Sequence, residues 1–141
     1  VAHEGLVIFG SSDWQVYALD LGHGWRVWEH RTSKPVISTA AIGDGKAFIG
    51  SADGHMYAID VSSGKERWRY KTDHQITSSP VYVDGAVYFG GIDGKVYCLQ
   101  AKSGQLMWSF ETEGAIPSSP VVHDGVVYIG SMDHRVYALK A

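Results

Sequence analysis

Position 10 of this chain is glycine, and so are positions 50, 90 and 130. The same step of 40 residues carries Gly5 to Gly45, Gly85 and Gly125, Asp13 to Asp53, Asp93 and Asp133, and Tyr17 to Tyr57, Tyr97 and Tyr137. Trp28, Trp68 and Trp108 keep the spacing, as do Gly24, Gly64 and Gly104, and no insertion or deletion disturbs the register. A fixed period of this size marks a repeat architecture, in which one supersecondary unit is copied and stacked because a single copy cannot bury its own apolar face. A recurrent residue is therefore explained first by the scaffold. A private binding site is sought where one copy departs from the others.

Within a copy, apolar runs rich in Val, Tyr, Ile and Phe end in glycine-containing turns, and nothing shows helical periodicity. In the third copy the runs are ITSSPVYVDG, AVYFGGIDG, KVYCLQAKSG and QLMWSFETEG. That pattern predicts four antiparallel strands per repeat, here called a, b, c and d. Asp84-Gly85 is expected to make a tight a–b hairpin, with Asp93-Gly94 doing the same for b–c and Ser103-Gly104 for c–d. Four strands per 40 residues predict an all-β fold, a β-propeller whose blades surround an axis. The copies fall at 1–35, 36–75, 76–115 and 116–141 of a single partial domain. Alternation along strand c sends Val96 and Cys98 to one face of the blade and Tyr97 and Leu99 to the other.

The stretch from Ala58 to Trp68, AIDVSSGKERW, resembles the A-x-D-x-x-[ST]-G-x-x-x-W tryptophan-docking motif of the pyrroloquinoline-quinone-like propeller repeats. SSPVVHDGVVYIGSMDHRVYAL, Ser118 to Leu139, is similar to the same repeat, and the match runs through all four copies. The first copy lacks the motif's hydroxyl residue, and Cys98-Leu99-Gln100 lacks its Ala and Asp. The resemblance implies that Trp28, Trp68 and Trp108 lie across the adjacent blade as inter-blade packing. It covers quinoprotein dehydrogenases, which hold the quinone with Ca²⁺ on the axis, and a broad set of non-catalytic propellers that includes an outer-membrane assembly lipoprotein and sensor domains fused to bacterial kinases. It also implies a periplasmic or other extracytoplasmic setting. The dehydrogenases' vicinal disulfide cannot form with one cysteine, and the chain has no Asn to serve as the usual amide ligand. The expectation is a non-enzymatic scaffold for a protein or peptide partner, without cofactor. The alternatives are a lobe of a quinone-dependent dehydrogenase, or an amplified or engineered repeat fragment with no ligand.

Composition narrows the partners. A formal net charge of −3 offers no basic field for a nucleic-acid backbone, and no apolar run is long enough to span a bilayer. The seven histidines are scattered through the repeat without metal-ligand spacing. Each recurrent Asp is expected to cap its own turn. The d–a loops and b–c turns share one face of a propeller, and they diverge between copies while the strands do not. Binding is expected there, on Lys34, Asp73, His74, Gln75 and Glu113 from the d–a loops and on Trp14, His55, Lys95, His134 and Arg135 from the b–c turns. Trp25, which stands where other copies have Lys65 and Gln105, is a further interface candidate.

The first copy begins inside strand a, and the last stops after strand c. Propellers close with about four to eight blades. Four blades are therefore expected to form an arc with two open apolar faces. Either a second copy completes an eight-blade ring with two-fold symmetry, or the arc is part of a longer propeller. A closed four-blade monomer is the third option.

Overall fold

The computed structural model describes residues 1–141, with strands and turns and no helix. The first blade is β1 (Ala2–His3), β2 (Leu6–Gly10), β3 (Gln15–Asp20) and β4 (Arg26–Arg31). The second is β5 (Ala41–Gly43), β6 (Lys46–Gly50), β7 (His55–Asp60) and β8 (Glu66–Lys71). The third is β9 (Val81–Val83), β10 (Ala86–Gly90), β11 (Lys95–Gln100) and β12 (Leu106–Glu111). The fourth has three strands, β13 (Val121–His123), β14 (Val126–Ser131) and β15 (Arg135–Lys140). Each blade is its own antiparallel sheet in chain order. The arc of propeller blades read from the sequence is the architecture observed.

The turns differ in kind. Asp84 and Gly85 both take positive φ, 47° and 81°, the twist-matched geometry of a two-residue hairpin. The b–c turn is not a second copy of it. There only the last residue is left-handed, and the Gly94 amide donates to the Gly91 carbonyl at 3.1 Å. Asp93 stays out of the left-handed region because its carboxylate accepts from the Lys95 amide at 3.1 Å and so closes the turn through its side chain. Trp14 and His134 take the glycine slot in their blades at φ 75° and 71°, a strained conformation for residues with a Cβ.

Between b and c the ladders run in register, while c and d slip by one residue beside Ala18, Ala58 and Cys98. Each slip sits next to the tryptophan of strand d, which pairs across from that small residue. Such a bulge re-aims side chains locally.

Alternation makes each blade apolar on both faces. Ile8, Val16, Ala18 and Trp28 of the first blade pack on Ala47, Ile49, Tyr57 and Ile59 of the second. Phe48, Met56 and Ala58 pack on Val87, Phe89, Tyr97 and Leu99 of the third. Cys98 and Val96 face the fourth blade, with Val127 and Ile129. The assignment of strand c to two opposite neighbours therefore holds. Near the axis the blades are stitched by hydroxyls: the Thr39 amide donates to Ser79 Oγ at 2.8 Å, and the Ser79 amide to Ser119 Oγ at 2.9 Å.

The arc is open. Phe9 on the rear face of the first blade is 38% exposed, and Val136 on the forward face of the last is 79% exposed. Their counterparts at internal junctions, Phe89 and Val96, are fully buried. The four blades do not close on themselves in this structure.

Candidate functional site

The d–a loops and b–c turns gather at one end of the strands, the a–b and c–d turns at the other. The loop face is rigid. The Thr72 hydroxyl lies 2.8 Å from the Gly54 carbonyl and 2.7 Å from that of His74, pinning the loop onto the turn of its own blade. Thr112 does the same with Gly94 and Gly114. The Ile76 amide at the start of the third copy donates to the Ser51 carbonyl of the second blade, and the Ile92 amide of the third blade to the Gln75 carbonyl. A backbone this fixed lets side chains vary without moving the frame. Thr32, Thr72 and Thr112 recur at a step of 40, and that recurrence was the signal for the anchor.

Each recurrent Asp closes its turn, and its second oxygen does more. Tyr57 donates to Asp53 Oδ2 at 2.6 Å, and the Ser33 amide of the preceding loop donates to the same oxygen at 3.1 Å. Asp13, Asp93 and Asp133 likewise accept from Tyr17, Tyr97 and Tyr137. Burial works against the Asp53 carboxylate, but the Tyr57 hydroxyl and the amides around it outweigh burial and hold it below the ordinary value. Burial first, and then the carboxylate, push the Tyr57 and Tyr97 phenols well above theirs. The link was legible as two recurrent residues four apart at the start of strand c, Asp and Tyr, whose partnership spacing alone does not reveal.

Ten of the eleven loop candidates lie on this face, in separate groups. Lys34, Asp73, His74 and Gln75 line one shallow depression over the second blade, with Asp53, Lys71 and the glycine-tipped turn at Gly54. His55 borders Asp53, its Nδ1 3.2 Å away. Lys95 reaches back from the third blade to Asp73 at 3.3 Å, a pair that raises the Lys95 pKa. One junction on, Arg135 Nη1 lies 3.8 Å from Glu113. His134 is exposed at its turn tip. Trp14 stands over the first blade with the Arg31 guanidinium 5.9 Å from its ring centre, a cation–π contact. Trp25 belongs to the opposite end, stacked on the His23 ring at 4.7 Å and 69% exposed. Lys71 was missed from sequence, although its counterparts Arg31 and Glu111 differ in charge.

The three structural tryptophans divide two to one. Trp28 Nε1 donates to the Val61 carbonyl of the second blade at 2.7 Å, and Trp68 Nε1 to the Ala101 carbonyl of the third at 2.9 Å. Trp108 packs beside Tyr88 and has no such acceptor. No cluster of three or more His, Cys, Asp or Glu side chains is placed to hold a metal ion.

Fold and loop face together define a propeller of quinone-like repeats. The family model described as outer membrane protein assembly factor BamB matches residues 71–141. The chain belongs to that family of pyrroloquinoline-quinone-like propeller repeats. No curated protein sequence matches it. Among solved structures it is similar to BamB from Moraxella catarrhalis, with a TM-score of 0.87 at 23% identity, over 96% of this chain and 43% of that one. It is similar to the computationally designed Ika4 protein, with a TM-score of 0.89 at 19% identity, over 99% of this chain and 87% of that one. Quinohemoprotein alcohol dehydrogenase from Comamonas testosteroni gives 0.82 at 22% identity, over 93% of this chain and 28% of that one. The chain thus spans under half the length of the Moraxella protein, and at these identities the likeness is one of fold. No helix is long and apolar enough to cross a membrane.

Proposed function

We propose that this chain is a non-enzymatic propeller scaffold that presents the divergent side chains of its loop face to a protein or peptide partner. The observation that carries the reading is the contrast on that face. Threonine, aspartate and backbone bonds repeat from blade to blade, while the side chains above them change charge and size. Membership of a family described as an assembly factor supports a protein as the partner.

The arc needs further blades, and we place a second copy there. Val7, Phe9, Tyr17 and Leu19 are the counterparts, 40 residues earlier, of Ala47, Ile49, Tyr57 and Ile59, which are buried against the first blade. Tyr128, Val136 and Ala138 are the counterparts of Tyr88, Val96 and Cys98, which are buried against the fourth. Each open face therefore copies one side of an existing junction. Two chains joined head to tail meet twice and close eight blades about a two-fold axis.

The rival reading, a lobe of a quinone-dependent dehydrogenase, draws on the shared fold of the quinohemoprotein. The residues present do not fit quinone with Ca²⁺. The recurrent aspartates of the loop face already accept from tyrosine hydroxyls and turn amides, and hard cations need several free oxygens. Titrating pyrroloquinoline quinone with Ca²⁺ into the protein tests the scaffold reading. No stoichiometric spectral change is expected. Tight one-to-one binding with a shifted quinone absorbance would overturn it.

A further inference from the structure

The depression over the second blade differs from its three counterparts. In the first blade the same register holds Trp14 with Arg31 laid over it. In the third it is flanked by Glu111 and Glu113, and in the fourth the turn tip is His134. Only the second blade combines a glycine tip, on which the His74 and Thr72 carbonyls close in, with two lysines, Lys34 and Lys71, that make no ion pair. The carboxylates nearby are spent. Asp53 is 4% exposed and held by Tyr57, Ser33 and His55, while Asp73 is paired with Lys95. With Asp73 paired to Lys95 outside the lining, the lining itself holds two unpaired lysines and one further engaged carboxylate, Asp53, a local positive excess on a chain of net charge −3.

A second observation concerns the backbone. In the other loops the Ser33 amide donates to Asp53 and the Glu113 amide to Asp133. In this loop the Asp73 amide donates to nothing in the chain, and neither does that of His74, which shares this with its counterpart Lys34. Two adjacent free N–H groups beside two free ammonium groups are a recognition set for an extended acidic chain, the amides taking main-chain carbonyls and the lysines taking carboxylates. The lining is polar apart from Ala52, so an apolar ligand gains little there.

We propose that this depression binds an acidic peptide segment, with Lys34 and Lys71 holding its carboxylates and the Asp73 and His74 amides its backbone. The assignment rests on the scaffold reading and names the chemistry of its partner.

The test is fluorescence anisotropy with a fluorescein-labelled peptide of alternating Glu and Ser, against the same peptide with Gln for Glu. Lys34→Glu with Lys71→Glu should weaken binding by on the order of tenfold or more, since each replaces attraction with repulsion. Lys102→Glu, a single like reversal in the β11–β12 turn at the far end of the strands, should change it by no more than about twofold. Coincident thermal melts would show that the variants fold. The Gln peptide should bind at least about tenfold more weakly. Loss of affinity in Lys102→Glu equal to that of the paired variant would overturn the site, because net charge alone would then explain it. Citrate binding as tightly as the peptide would overturn the peptide assignment in favour of a free carboxylate. A flat titration would overturn the site while leaving the scaffold reading to the quinone experiment.

Discussion

The junction between the first and second blades and that between the third and fourth are built from the same sequence pattern, yet they are not the same interface. At the first, Trp28 is 7% exposed, donates to Val61 and lies on Gly64, where an added Cβ would stand 2.7 Å from the indole. At the other, Trp108 is only partly covered and its indole N–H finds no protein acceptor. The mirror of that deficit is Gly24. A Cβ there would meet nothing within 4 Å. The tryptophan's contribution thus depends on the c–d turn of the following blade, which supplies both the carbonyl and the glycine. A repeated residue guarantees a repeated slot, not a repeated environment.

The contrast breaks most readily at the tryptophans. Trp28→Ala should cost about 3–5 kcal/mol by urea unfolding, through lost burial, a cavity and an orphaned carbonyl. Trp108→Ala should cost about 1–2 kcal/mol, and equal losses would remove the distinction. Gly104→Ala comes next, at about 2–4 kcal/mol, because its Cβ would press on Trp68 as well as strain a φ of 74°. Gly24→Ala has the strain alone, φ 73°, and should cost about 1 kcal/mol in the same assay.

Protons sharpen the comparison further. The folded-state pKa of Asp53 is depressed, so its contribution is present above the ordinary carboxylate range and is lost as pH falls through the folded value. The Tyr57 pKa is raised, so its contribution is intact below the ordinary value of 10.0 and fades as pH climbs above it. Stability measured across pH should therefore form a plateau that drops on both sides. Tyr57→Phe should remove about 1–2 kcal/mol at neutral pH and flatten the acid limb, and an unchanged acid limb would count against the pairing. The smallest effect is expected at Trp25→Ala, within about 0.5 kcal/mol in thermal or urea melts, since the ring stacks only on His23 at the surface.

Much of this molecule is legible in its sequence, because a strict period carries the fold on its face. Strand count, blade class, the opposite orientations of Cys98 and Leu99 and the open ends all follow from register. What resists reading is which distant residues pair, across a junction or within one blade. Asp53 draws a proton donor from Ser33 twenty residues earlier, and Thr72 fastens its loop to Gly54. Spacing marks these residues as recurrent without pairing them. The b–c turn was misread for a related reason. Asp-Gly suits both the two-residue hairpin and the side-chain-capped turn, and the dipeptide does not discriminate. Lys71 escaped notice because it ends a strand, where the ladder hides how far its ammonium reaches into the loop face.

The claim that the end faces are junction surfaces awaiting a second copy is tested most directly by light scattering after size exclusion. The account predicts a mass near twice 15.4 kDa, shifted towards the single-chain value by charged substitution at Val136. A monodisperse species of 15.4 kDa at micromolar concentration, with a normal cooperative melt, would contradict it.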